Sequence, residues 1–235
     1  MGLLSLILER ADIVDILIYL LSICAVLFLT LPIHEFAHAF VATKLGDPTP
    51  KFQGRLTLNP LAHIDPFGAL CMVFFGFGWG KAVGVNARYF KNSKWGMAIT
   101  ALAGPVINIL MALVLMLVML ILTYIFMVTD AYFVSSIPMY VVSFINYVII
   151  INIYLAVFNL IPVPPLDGSR ILTAFLPDRI YYRIMAYERY IVLAVIALVY
   201  TGVLDEPISR ASSAIFNVLL KIATIPLDLI ISIFS

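Results

Sequence analysis

Two of the three histidines in the chain, His34 and His38, stand four residues apart, with Glu35 beside the first. On a helix, positions four apart share a face, so both imidazoles can reach one tetrahedral metal ion. Glu35 is turned by about 100° from His34, close enough to touch a water on that ion without ligating it. Two nitrogen ligands and a neighbouring carboxylate base are the equipment of metal-assisted hydrolysis. A catalytic ion of this kind takes a third protein ligand and leaves one position open. His63 is the remaining histidine, but Asp167 is the better candidate, in Asn159-Leu160-Ile161-Pro162-Val163-Pro164-Pro165-Leu166-Asp167-Gly168. Three prolines there forbid a continuing helix, so the backbone must unwind. Taken alone, Asp167 reads as a turn or cap residue ahead of a helix at 170–175. Beside the histidine pair, a hard anionic oxygen completing a His₂Asp site is the stronger reading.

The elements that must position these residues are membrane helices. Hydrophobic side chains make up 63% of the 235 residues and charged ones 11%, with a mean hydropathy of +1.10. A soluble domain is nearer half apolar and a quarter charged, so the excess belongs in a bilayer. A net charge of +1 leaves no electrostatic footprint for nucleic acid. Apolar segments fall at 13–43, 66–79, 97–128, 133–161, 190–204 and 208–234. They predict an all-α polytopic membrane protein, a single domain over 1–235 with about five to six membrane segments. Its parts are a metal-binding helix (13–43), a re-entrant or loop region (44–96), a core span (97–128), a span with the unwound loop (133–170), and C-terminal helices (187–234).

Depth strengthens the metal reading. Residues 16–33 carry no charge, and Lys44 marks an interface. At 1.5 Å per residue His34 lies roughly 15 Å below it and His38 roughly 9 Å. Ionisable groups so deep are costly and mark function, while irregular backbone at that depth is tolerated only around protein or a wet cavity. Pro32 is expected to kink or restart the helix just before the motif, crowding the carbonyl of Phe28. Cations concentrate in 44–96 and 165–190, which puts those stretches in the cytoplasm and the N-terminus outside. That parity requires 66–79 to dip in without crossing. Glu9, Asp12 and Asp15 stand where a secretory signal would need basic residues, so the first apolar segment is expected to stay as a membrane helix. Cys24 and Cys71 sit in apolar sequence and read as packing residues.

Together these blocks resemble the site-2 proteases, the family of intramembrane zinc metalloproteases. His34-Glu35-x-x-His38 matches the family's zinc motif, 159–168 resembles its second signature, and Gly104-Pro105-x-x-Asn108 resembles a helix-start motif of the central span. The likeness implies Zn²⁺ held by His34, His38 and Asp167, Glu35 as catalytic base, and Asn108 and Asn159 against the substrate backbone or the developing oxyanion. His63, in Asn59-Pro60-Leu61-Ala62-His63-Ile64-Asp65-Pro66, is expected to hydrogen-bond near the site rather than ligate. Relatives carry Lys-Pro-Val-Pro-Val-Asn-Pro where this chain has Lys81-Ala82-Val83-Gly84-Val85-Asn86-Ala87, which puts the shape of that loop in question. Residues 51–58 and 82–90 could form strands, and the resemblance implies a small re-entrant sheet whose edge receives an extended substrate. It further implies a compact form without PDZ or CBS modules, in a prokaryotic cell membrane, cutting single-span membrane proteins under an unnamed membrane partner. The rival readings are a metal-binding or transport protein, which should show a relay of further intramembrane ionisable groups, and an anchored protease acting on soluble peptides.

Overall fold

The computed structural model describes residues 2–76, 78–172 and 174–234; the side chains of Phe133, Asp178, Tyr181, Tyr182, Met185, Tyr200 and 227–234 lie outside the description. The described residues are helical and irregular, with no strand among them. A short helix α1 (Leu3–Leu8) leads into α2 (Ile13–Ala25), a π-turn (Val26–Thr30) and α3 (Leu31–Lys44). After two short helical turns comes α4 (Pro66–Phe75), then α5 (Ser93–Val128) and α6 (Ile137–Asn159). The chain closes with α7 (Asp167–Leu172), α8 (Asp178–Ala186), α9 (Glu188–Tyr200) and α10 (Asp205–Phe234).

Four stretches are long and apolar enough to cross a bilayer: Ile13–Lys44, Ser93–Val128, Ile137–Asn159 and Asp205–Pro226. Their outward faces carry large apolar side chains such as Leu21, Phe28, Ile99, Val106, Leu110 and Val114. Only lipid satisfies such a surface, and the protein is an integral membrane protein. The helices α5, α6 and α10 meet along Ala112, Met116, Ile145, Ile149, Ile153, Leu219 and Ala223. Alanines at this seam let the backbones approach, which is the main source of attraction between helices in lipid.

Pro32 does not break the first span. The amide of Leu31 bonds back five residues to Val26 in the π-turn, so the ladder changes register immediately before the residue that lacks an N–H. The widened turn is tied to α6 by Asn152 Nδ2, which donates to Thr30 Oγ1 at 3.1 Å. Cys24 faces outward on α2 and does not pack in the core.

The segment 66–79 turns back on itself. The ten residues of α4 cover about 15 Å, half a bilayer. Gly76 caps the helix in the left-handed conformation at φ 78°. The chain then returns so closely along α4 that a Cβ on Gly68 would collide with the Trp79 carbonyl, and one on Gly78 with the Gly68 carbonyl. Among the described residues the expected β element is not seen. Residues Thr49–Phe52 make a helical turn and Ala87–Tyr89 a 3₁₀ turn, and pairing reduces to one antiparallel bridge, Ile64 with Gly80. Side chains take three of the amides of 80–86: Glu35, Gln53 and Asp47 accept from Val83, Gly84 and Asn86. Gly68→Ala should therefore cost about 1–3 kcal/mol by overpacking. The check is the melting temperature in lipid or detergent, where an unchanged value contradicts the close return of 78–79 along α4.

Candidate metal centre

The site forms where α3 meets the unwound end of α6. The Nε2 atoms of His34 and His38 lie 3.1 Å apart on the inner face of α3. Asp167 Oδ2, at the first residue of α7, lies 3.4 Å from His34 Nε2 and 3.2 Å from His38 Nε2. These three residues form a cluster able to hold a metal ion among the described residues. Zinc bonds of about 2.0–2.2 Å in a tetrahedron put neighbouring ligand atoms roughly 3.3–3.6 Å apart, close to the spacing of the three donors, which fit a Zn²⁺ ion. His38 Nδ1 lies 2.7 Å from the Thr100 carbonyl and can bond to it only as a donor, which leaves the Nε2 lone pair facing the cluster. His34 Nδ1 has no such partner among the described residues.

Each residue is placed by a local device. Gly168 packs so tightly on the last carbonyls around Leu160 and Ile161 that a Cβ would overlap them, folding the proline-rich loop back and turning Asp167 inward. Gly104 touches both imidazoles, and a Cβ there would sit on His34 Cε1 and His38 Nε2. Gly104 and Pro105 lie inside α5 rather than at its start; the helix begins at Ser93, with Asn92 Oδ1 accepting from the Trp95 amide at 3.2 Å. The apparent start motif is thus a contact point that lets α5 reach the site.

Glu35 is buried beside the cluster, and its Oε2 accepts a hydrogen bond from the Val83 amide at 3.1 Å. A cavity of about 460 Å³ opens on the cluster and is lined also by Asn108 and Asn159. Asn108 is fully buried, and neither its Oδ1 nor its Nδ2 has a partner among the described residues. Such a carboxamide is costly to leave unpaired and is available to a peptide backbone entering the cavity. His63 stands outside the cluster, buried, with Nε2 at 2.8 Å from the Thr57 carbonyl.

Three contributors were missed in the sequence. The Val83 amide is backbone and carries no side-chain signal. Arg55, counted above as one cation of a cytoplasmic stretch, is buried. The apolar wall of Val192, Val195, Ile196 and Val199 on α9 did leave a trace, a helical i, i+3, i+4, i+7 spacing within the short apolar run.

The model of peptidase family M50 matches residues 22–202. The chain belongs to that family, the intramembrane zinc metalloproteases of the site-2 type. It is 37% identical over 178 residues to the "Putative zinc metalloprotease YwhC" of Bacillus subtilis strain 168, covering 74% of this chain and 80% of that protein. It is 29% identical over 192 residues to Rip2 of Mycolicibacterium smegmatis, described in the same words, covering 80% of this chain and 67% of the other. No solved structure matches the chain.

Because Gly104 leaves no room for a side chain against the imidazoles, Gly104→Ala should lower zinc content at least tenfold in protein that still folds. Metal analysis of the purified variant checks this, and full zinc occupancy would contradict the packing described.

Proposed function

We propose that the chain hydrolyses peptide bonds within or next to transmembrane segments of membrane proteins, acting as one catalytic unit. The observation that carries this reading is the convergence of His34 Nε2, His38 Nε2 and Asp167 Oδ2 within 3.1–3.4 Å of one another at a cavity that also holds Glu35. His34, His38 and Asp167 hold the zinc. Bound there, zinc supplies a Lewis acid that polarises a carbonyl and makes a water acidic near neutral pH. Glu35 takes the proton of the attacking water on its carboxylate and passes it to the leaving amine. The Val83 amide keeps that carboxylate turned toward the cavity. Asn108 and Asn159 pair with the backbone of the opened substrate or with the oxyanion that develops on it.

A substrate helix hides its peptide groups in its own hydrogen bonds, so it must unwind before it can be cut. The unpaired carboxamide of Asn108 and the extended 78–83 segment along the cavity favour an unwound chain there. The substrates are single-span membrane proteins. A transporter needs a relay of ionisable groups; among the described residues lining the cavity, the ionisable ones are His34, Glu35, His38, Asp167 and Arg170, gathered at the site.

The base assignment is tested by Glu35→Gln. The variant should keep its zinc and lose at least a hundredfold in cleavage of a reconstituted single-span substrate; cleavage at the wild-type rate would sink the assignment. The cation distribution supports a cytoplasmic site in a prokaryotic plasma membrane, with the N-terminus outside. A cysteine introduced at Lys91 should then react with an impermeant thiol reagent in inverted vesicles and not in intact cells. Labelling from the outside would reverse the orientation.

A further inference from the structure

The segment that borders the cavity beside α3 is held by a few backbone bonds and several side chains. Residues 78–80, 82 and 83 line the cavity, and Val83 carries the amide that grips Glu35. Since pairing stops at one bridge, the placement of this segment depends on a few named contacts. Lys81 donates its amide to the His63 carbonyl at 2.7 Å, next to the Ile64–Gly80 bridge. Further along, the Asp47 carboxylate accepts from the Asn86 amide at 2.7 Å, and Gln53 accepts from Gly84 at 3.2 Å.

Arg55 ties the two sides of this pairing together. It is buried, and its Nη1 donates to the carbonyl of Ala62 on one side and, at 3.3 Å, to that of Lys81 on the other. Its own amide bonds the Pro50 carbonyl at 2.9 Å, so the guanidinium is presented from an anchored turn. Lys81 is two residues from Val83. Charged donors make the stronger hydrogen bonds, and a buried site gives them more weight than water does. Here a single side chain spans both backbones.

We propose that Arg55 is a positioning residue of the hydrolytic reaction. Its guanidinium fixes the cavity-lining stretch 80–83 so that the Val83 amide holds Glu35 in working orientation. The inference rests on Glu35 acting as the base. Lysine is not an equivalent, because it offers a point charge on a flexible stem, whereas Arg55 Nη1 holds the two N–H bonds that meet Ala62 and Lys81 in the fixed guanidinium plane. A misplacement of about 1 Å at such a support is enough to cost up to a hundredfold in rate.

The test uses the full zinc-loaded chain in lipid with a single-span substrate, and compares wild type, Arg55→Ala, Arg55→Lys and Glu35→Gln. The quantity read is kcat per mole of bound zinc, which removes losses due only to unfolding or lost metal. For Arg55→Ala it should fall roughly 10- to 100-fold, for Arg55→Lys by less, and added methylguanidinium should restore part of the Arg55→Ala activity. A value for Arg55→Ala within twofold of wild type, beside an inactive Glu35→Gln, overturns the role of Arg55 and leaves the base assignment standing. An active Glu35→Gln overturns the base assignment instead. Should Arg55→Ala fail to accumulate, Arg55→Lys decides: a several-fold drop per bound zinc supports the proposal, and a wild-type value overturns it.

Discussion

Three electron-pair donors held 3.1–3.4 Å apart in an apolar surrounding repel one another until a cation joins them. That repulsion is the constraint the rest of the molecule works against. It is met by rigid approach from three directions: α3 presents the two imidazoles, Gly168 turns Asp167 inward, and Gly104 lets α5 press on the rings from behind. The Thr100 carbonyl, on α5 one turn from Gly104, fixes the His38 tautomer as well. One helix therefore supplies both the packing surface and the hydrogen bond that set the electronic state of a ligand.

A second constraint comes from the bilayer, where each irregular stretch of backbone must find partners inside the protein. The chain has two such stretches at the site, the proline-rich loop at 160–166 and the extended run at 78–86. The loop solves the problem by prolines, which remove donors, and by short turns such as Leu166 N–H to the Val163 carbonyl at 3.0 Å. The extended run solves it with buried side chains, Glu35, Asp47 and Arg55 among them. The buried charged residues around the site are thus divided between chemistry and support. Glu35 takes part in both, since the amide that satisfies it belongs to the wall of the cavity.

Much of this was legible in the residues. The spacing of His34 and His38 placed both on one helical face with Glu35 turned by about 100° from the first, and three prolines before Asp167 announced unwound backbone beside them. Long apolar runs announced the spanning helices. Strand propensity at 51–58 and 82–90 misled, because Asp47, Gln53 and Glu35 reached backbone amides before a neighbouring strand could. Arg55 misled for a related reason. A count of cations records charge, whereas its burial depends on carbonyls contributed by residues 7 and 26 positions away. Gly104 read as a helix start, since glycine next to proline has that local meaning. Its contact with the imidazoles is a tertiary fact, created by the packing of α5 on α3.

X-ray absorption at the zinc edge of the purified protein tests the central claim most directly. The account predicts only nitrogen and oxygen neighbours at about 2.0–2.2 Å, two of them imidazoles, with one imidazole lost in His38→Ala. A sulfur neighbour near 2.3 Å would bring in Cys24 or Cys71, and a third imidazole would bring in His63. Either result would contradict a zinc site made by His34, His38 and Asp167.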